Sequence, residues 1–328
     1  MLKVDHVTAS YKTLDGNVVA VEDVNFEIHD NEIFGIAGES GCGKSTMLKV
    51  LYDIIQFPLE VDSGRVILDG VKDGAPFQLQ TGEIHKSWWN HIAYIPQAAM
   101  SVLNPISRLR NQFLDSVSKG KRSRAMDAKL LQQVEEYLEE LNLSKDVLDA
   151  YPFQLSGGMR QRVIIALATF MDPNFILADE PTTALDVVVQ RGILMLLMRY
   201  QKQHKNTIVI VSHDLGVHYQ ITDRIAIMYS GKIVEIGKTT ELFKNPYHPY
   251  TKMLINALPK VGDKTSRVGI EGSPPSLRNP PKGCRFASRC PNATDRCREA
   301  VPEFREVTPG RFAACHLLND PKPAKEAN

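Results

Sequence analysis

The chain has 328 residues, with 39 Lys+Arg against 38 Asp+Glu, 43% hydrophobic and 23% charged residues. This is a globular composition, and a net charge of +1 argues against bulk electrostatic capture of nucleic acid or anionic lipid, local patches aside. The longest apolar run, Val163–Met171, is about half of what spans a bilayer, and the N-terminus opens no secretory apolar segment, so the chain reads as cytosolic rather than as a pore or a secreted protein.

Lys3–Ser10 and Val18–Ile28 alternate apolar and polar residues, which predicts strands, and Glu32–Ala37 is a short apolar strand entering a glycine-rich turn. A helix is expected from Lys44 to about Asp53, then a strand at Gly64–Asp69 and a short apolar segment, Ala93–Ile95, ending at Pro96. From about 98 to 170 the pattern turns helical. Leu130, Val134, Tyr137, Leu138 and Leu141 recur at helical spacing, and Arg160–Phe170 is a second helix. Strand signals return at Phe175–Ala178, Thr207–Val211, Arg224–Tyr229 and Lys232–Ile236, with a helical run at Val187–Gln203. The alternation implies an α/β core with a largely parallel sheet and an inserted helical stretch. Pro274, Pro275, Pro280 and Pro281 make Gly272–Gly283 a linker, and Asn319–Asn328 reads as a frayed polar end. The expected organisation is a core over 1–257, with a helical subdomain at about 98–170, and an extension over 258–328.

Gly38-Glu39-Ser40-Gly41-Cys42-Gly43-Lys44-Ser45-Thr46 fits G-x-x-x-x-G-K-[ST] between a predicted strand and a predicted helix. Glycines let consecutive backbone N–H groups curl around phosphate oxygens, and the helix dipole points at the same anion. Lys44 is expected to reach the β- and γ-phosphates and the Ser45 hydroxyl to ligate Mg²⁺. At Cys42 the backbone matters rather than the thiol. Phe175–Ala178 reads as a buried strand with Asp179 and Glu180 at its carboxyl end. Asp179 is placed to hold Mg²⁺ through water, and Glu180 to deprotonate the attacking water.

Leu155-Ser156-Gly157-Gly158-Met159-Arg160-Gln161-Arg162 resembles the signature of the ATP-binding-cassette (ABC) ATPases, with Met where Gln is commoner. Ser156, Gly157 and Gly158 offer a hydroxyl and bare backbone N–H groups at a helix start. The resemblance covers about residues 1–257 and implies a P-loop α/β fold: a mixed, largely parallel sheet, an antiparallel β portion and an inserted helical subdomain. It gives Tyr11 the role of stacking on adenine, and Gln97 that of a glutamine contacting Mg²⁺ or water and linking to the membrane partner. Ala184-Leu185-Asp186 resembles the family's D-loop, and His213 its switch histidine near the γ-phosphate. In that family the signature of one chain faces the nucleotide on a second, so a paired ATPase is implied.

Four of the five cysteines form Cys284-x5-Cys290-x6-Cys297-x17-Cys315. In a reducing compartment this pattern points to metal rather than disulfides. Four thiolates suit Zn²⁺ or an iron–sulfur cluster. The tight C-x2–4-C knuckles of zinc sites are absent, and the spacing matches neither ferredoxin pattern. Lys282, Arg285, Arg289, Arg296 and Arg298 would offset the negative charge of a 4Fe–4S centre, although they also suit a solvated face.

Asn245-Pro246-Tyr247-His248-Pro249-Tyr250-Thr251, Gly272-Ser273-Pro274-Pro275 and the cysteine spacing resemble the C-terminal extension of dipeptide, oligopeptide and nickel importer ATPases, in which an iron–sulfur cluster occurs. That resemblance implies a second, paralogous ATPase, two transmembrane permease subunits and an extracytoplasmic solute-binding protein. It places the chain peripherally at the cytoplasmic face of the membrane, powering import of peptides, or else of nickel or another small solute. Rivals of another class are a soluble cassette protein, or a redox or nucleic-acid-binding module with a regulatory cassette. No nucleic-acid partner is expected.

Overall fold

The computed structural model describes residues 1–68, 77–78, 88, 91–97, 102–117, 123–258 and 269–318. The end Asn319–Asn328 and the start of the helical stretch, at 98–101, lie outside the described residues. Two long strands, β1 (Leu2–Thr13) and β2 (Gly16–Ile28), precede β3 (Ile33–Ala37), α1 (Lys44–Leu51), β4 (Leu59–Leu68) and β5 (Phe77–Gln78). Strand β6 (Ile92–Ile95) leads to helices α2 (Leu109–Val117), α3 (Arg124–Glu140) and α4 (Gly157–Thr169). Then come β7 (Phe175–Asp179), α5 (Val187–His204), β8 (Thr207–Ser212), α6 (Leu215–Ile221), β9 (Arg224–Tyr229) and β10 (Lys232–Lys238). The C-terminal part holds α7 (Thr239–Lys244), α8 (Pro249–Asn256), α9 (Asp295–Glu299), β11 (Arg305–Thr308) and β12 (Arg311–Ala313). No helix among the described residues is long and apolar enough to cross a membrane.

The chain divides into two compact units, one of Met1–His29, Ile33–Thr81 and Val211–Asn328, the other of Asp30–Glu32 and Gly82–Ile210. In the first, an antiparallel sheet runs β2-β1-β4-β5. Its alternating strands bury Leu2, Val4, Phe26, Ile28, Val66 and Leu68 on one face. Strand β4 starts at Leu59, earlier than the sequence pattern predicts, because Glu60–Gly64 is mostly exposed and carries no apolar alternation. Gly64 lies where the β1–β4 register shifts; its φ is +83°, and a Cβ there would stand 2.3 Å from the His6 carbonyl oxygen.

The same unit holds strands in the order β11-β12-β10-β9-β3. Strand β3 lies parallel to β9, while β10 is antiparallel to both β9 and β12, so the sheet is mixed. The extension adds the β11–β12 hairpin to the edge of β10, with Glu235 opposite Ala313 and Ile236 opposite Phe312. Apolar packing beneath this region centres on Tyr229, Tyr250 and Phe286, whose ring centroids lie 4.5–5.3 Å apart.

In the second unit the strand order is β8-β7-β6, with β6 parallel to β7. All five residues of β7 are buried, as expected of a strand covered on both faces. Helix α3 buries Val134 and Leu138, one turn apart, and Ser123 caps it by accepting from Met126 N. Asp186 caps α5 through both Val188 N and Val189 N, at 3.0 and 2.9 Å.

Candidate functional site

The glycine-rich segment 38–46 connects β3 to α1, so the phosphate-type motif lies in the strand–loop–helix setting that its chemistry requires. Its glycines are sterically obliged. A Cβ on Gly43, whose φ is +107°, would stand 2.2 Å from the Ala20 carbonyl oxygen, and one on Gly38 2.1 Å from that of Met228. Lys44, 5% exposed, folds its ammonium back on the loop, donating to the carbonyls of Gly38 (2.9 Å) and Glu39 (2.8 Å). Cys42 is buried; burial raises its thiol pKa, which keeps it protonated and inert. Ser40 and Gly41 are exposed at the loop crest, Ser45 is half-buried, and Thr46 is buried with its hydroxyl 3.1 Å from that of Tyr11.

Behind the loop, His218 packs its imidazole against the backbone of β3. A Cβ on Gly35 would come 2.5 Å from His218 Nδ1, so only glycine fits at the centre of that strand. His218 Nε2 donates to the Ser212 carbonyl at 3.1 Å, and burial lowers the imidazole pKa to about 4. His213, the histidine singled out in the sequence, is exposed just past β8. Next to it Asp214 caps α6, accepting from Gly216 N at 2.7 Å.

The second unit assembles the acids. Asp179 ends β7, 4% exposed, and accepts from the Tyr94 hydroxyl at 3.1 Å. Glu180 follows with φ +45°, a left-handed conformation uncommon for a non-glycine residue. That bend sends its carboxylate off the strand axis, where Oε2 accepts from Gln97 Nε2 (3.1 Å) and from Thr183 Oγ1 (2.8 Å). Gln97 and Glu180, 83 residues apart in sequence, are thus brought into contact.

Ser156 is the N-cap of α4, accepting from Met159 N at 3.3 Å, so the helix starts at Gly157 rather than at Arg160. A Cβ on Gly158 would meet Val189 Cγ1 at 2.6 Å. At Gly158 the double glycine therefore has a packing reason.

The Asn-Pro-Tyr-His-Pro-Tyr segment proves to bracket a buried carboxylate. The Glu235 carboxylate, fully buried on β10, accepts from Tyr247 N (2.8 Å), His248 N (2.9 Å) and Arg311 Nη2 (3.1 Å). Arg311 also donates to the Asn245 carbonyl and lies 3.8 Å over the Tyr247 ring. His248 Nδ1 caps α8 by accepting from Tyr250 N, and the Tyr250 hydroxyl accepts from Glu39 N in the glycine-rich loop (3.0 Å). The sequence marked this segment only by resemblance. Its partners are buried charges at distant positions, which no local pattern reveals.

The four C-terminal cysteines are free. Burial raises the thiol pKa values of Cys284, Cys290 and Cys315, to about 11 for Cys284 and Cys315. Among the described residues no group of three or more His, Cys, Asp or Glu side chains is placed to hold a metal ion. The described residues thus show no preformed metal cage in the tail. Of the basic residues beside them, Arg285 pairs with Glu22 and Ser230, and Arg289 with Glu39, so these two serve the fold rather than a solvated face.

Residues 21–183 match the ABC transporter family model, and residues 234–297 match that of the oligopeptide/dipeptide transporter C-terminal region. The chain is 38% identical to the dipeptide transport ATP-binding protein DppD of Caldanaerobacter subterraneus subsp. tengcongensis, over 99% of both chains. It is also 38% identical to the oligopeptide transport ATP-binding protein AppF of Bacillus subtilis, over 93% of this chain and 91% of that one. Among solved structures it resembles the ATP-binding cassette MJ0796 in a dimeric post-hydrolysis state bound to ADP and Pi. There the identity is 29% and the TM-score 0.61, over 73% of this chain and 99% of the other.

Proposed function

Because the chain belongs to the ATP-binding subunits of ABC transporters, in the branch carrying the oligopeptide/dipeptide C-terminal region, it hydrolyses ATP to power peptide import, and we propose how its residues divide that work. Ser40 to Thr46 cradle the phosphates with backbone N–H groups, and Lys44 leaves the loop carbonyls to pair with the β- and γ-phosphates. Tyr11 stacks on the adenine. Ser156, Gly157 and Gly158 present a capped helix start to the nucleotide of a second ATPase chain, and Asp186 holds the segment beside it. Ser45, Gln97 and Asp179 offer the oxygen donors that Mg²⁺ prefers, and Mg²⁺ would neutralise charge on the phosphates.

The observation that carries the mechanism is the carboxylate of Glu180, set by a left-handed backbone and held by Gln97 and Thr183. Glu180 takes the proton of the attacking water, Gln97 and Thr183 hold its Oε2, and His213 would act as the switch histidine for the γ-phosphate. Glu180→Gln tests this. It is expected to bind ATP normally and to lower kcat about 10²–10⁴-fold; turnover at the wild-type rate would dismiss Glu180 as the base.

In this proposal the chain forms one half of an ATPase pair with a paralogous subunit. It serves two permease subunits and an extracytoplasmic solute-binding protein, at the cytoplasmic face of the membrane. Residues 1–257 form the engine and 258–328 its extension. Cys284, Cys290, Cys297 and Cys315 would hold a 4Fe–4S cluster as a structural clip, with zinc as the second reading. The donor set of four cysteine thiols supports it.

A further inference from the structure

Glu39 is held at three points. Its backbone N–H donates to the Tyr250 hydroxyl (3.0 Å), its carbonyl accepts from Lys44 (2.8 Å), and its carboxylate receives a two-pronged ion pair from Arg289 (2.8 and 3.1 Å). Arg289 stands directly before Cys290, and its side chain is only 5% exposed. All five of its N–H donors are engaged: Nε to the Glu271 carbonyl (2.9 Å), Nη1 to Glu39 Oε2 and to the Tyr229 hydroxyl (3.2 Å), and Nη2 to Glu39 Oε1 and to the Ile270 carbonyl (3.0 Å). One guanidinium thus ties the chain at 270–271, the strand end at Tyr229 and the glycine-rich loop together.

Glu39 has no phosphate-binding role of its own in the motif, yet its carbonyl anchors the very lysine that pairs with phosphate. We propose that Arg289 is a positioning residue for nucleotide binding, fixing the first turn of the phosphate loop through Glu39 so that nucleotide affinity depends on the four-cysteine segment that carries it. The inference rests on reading residues 38–46 as the nucleotide loop. Lysine cannot take this place, because a point charge on a flexible stem supplies neither the fork that matches the Glu39 carboxylate nor five fixed donors.

The test is ADP affinity of the full chain by titration calorimetry, with ATPase kinetics and amide hydrogen exchange of residues 38–43. Arg289→Ala is expected to weaken ADP binding about tenfold and to raise KM more than it lowers kcat, with faster exchange at 38–43. Arg289→Lys should recover only part of the affinity. Glu39→Gln approaches the pair from the loop and leaves the extension untouched; it should weaken binding to a similar degree, and the double variant should be no worse than either single one. Normal ADP affinity in both Arg289→Ala and Glu39→Gln would overturn the proposal, as would fully additive effects. Lys44→Ala separates the two levels. If it loses ADP binding while the Arg289 and Glu39 variants keep it, the positioning role fails alone; if it too binds normally, the loop assignment fails and the proposal with it.

Discussion

The Glu235–Arg311 bracket gives a stability prediction whose size follows from its contacts. Glu235 is fully buried and accepts two backbone N–H groups as well as the Arg311 guanidinium, which is itself only 7% exposed. Glu235→Gln keeps the shape but turns one acceptor oxygen into an amino group facing a backbone N–H. It also leaves Arg311 charged, buried and without its anion. Breaking one side of a buried pair costs about 3–5 kcal/mol, and an orphaned backbone donor about 1–3 kcal/mol, part of which is the same loss counted twice. The expected cost is therefore about 4 kcal/mol, a fall in Tm on the order of 10 °C. Arg311→Met is expected to cost less, about 2–3 kcal/mol, because the carboxylate keeps both backbone donors. In the double variant Glu235→Gln/Arg311→Met no buried charge is stranded, so its loss should be smaller than the sum of the singles by about 2 kcal/mol. Thermal and urea melts of the four proteins measure the cycle. Strict additivity, or a Glu235→Gln variant within 1 kcal/mol of wild type, would refute the reasoning.

Burial holds His218 at a pKa of about 4 and His248 at about 3, against about 6.5 in an unfolded chain. Below pH 6.5 the unfolded state binds protons that the folded state does not, so both histidines contribute full stability above pH 6.5 and lose it as the pH falls toward their folded values. The loss is about 1.4 kcal/mol per pH step for each. His248→Asn keeps an N-cap acceptor for Tyr250 N and removes the titration; urea melts between pH 5 and 7 should show its pH slope reduced by that amount, and an unchanged slope would contradict the burial argument. For the extension, protein purified without oxygen is expected to carry about four irons and four sulfides with broad visible absorption. A single zinc and no colour would replace the cluster by a plain clip.

Much of the nucleotide half of this account was legible in the sequence because each motif is local. The loop 38–46 needs a strand before it and a helix after it, and hydrophobic runs at both sides announce them. Strand β9 and the start of α5 fall where periodicity puts them, since buried β-branched residues and an Asp cap leave little freedom. Boundaries slipped where polar residues enter regular structure, as at Glu60–Gly64 of β4, or where Gly157 and Gly158 disguise the first turn of α4. What remained illegible is long-range and charged. Arg289 and Glu39 are 250 residues apart and Glu235 and Arg311 76 apart, and each of the four reads alone as a surface charge. No local pattern marks His218, and only the packed structure reveals it pressed against Gly35.

The central claim is that ATP hydrolysis by this chain drives peptide entry. Its most direct test is uptake of a labelled dipeptide by proteoliposomes containing the permease subunits and the ATPase pair, with the solute-binding protein outside and ATP inside. The account predicts ATP-dependent accumulation with the wild-type chain and loss of nearly all of it with Glu180→Gln. Accumulation at the wild-type rate with Glu180→Gln, or without ATP, would contradict it.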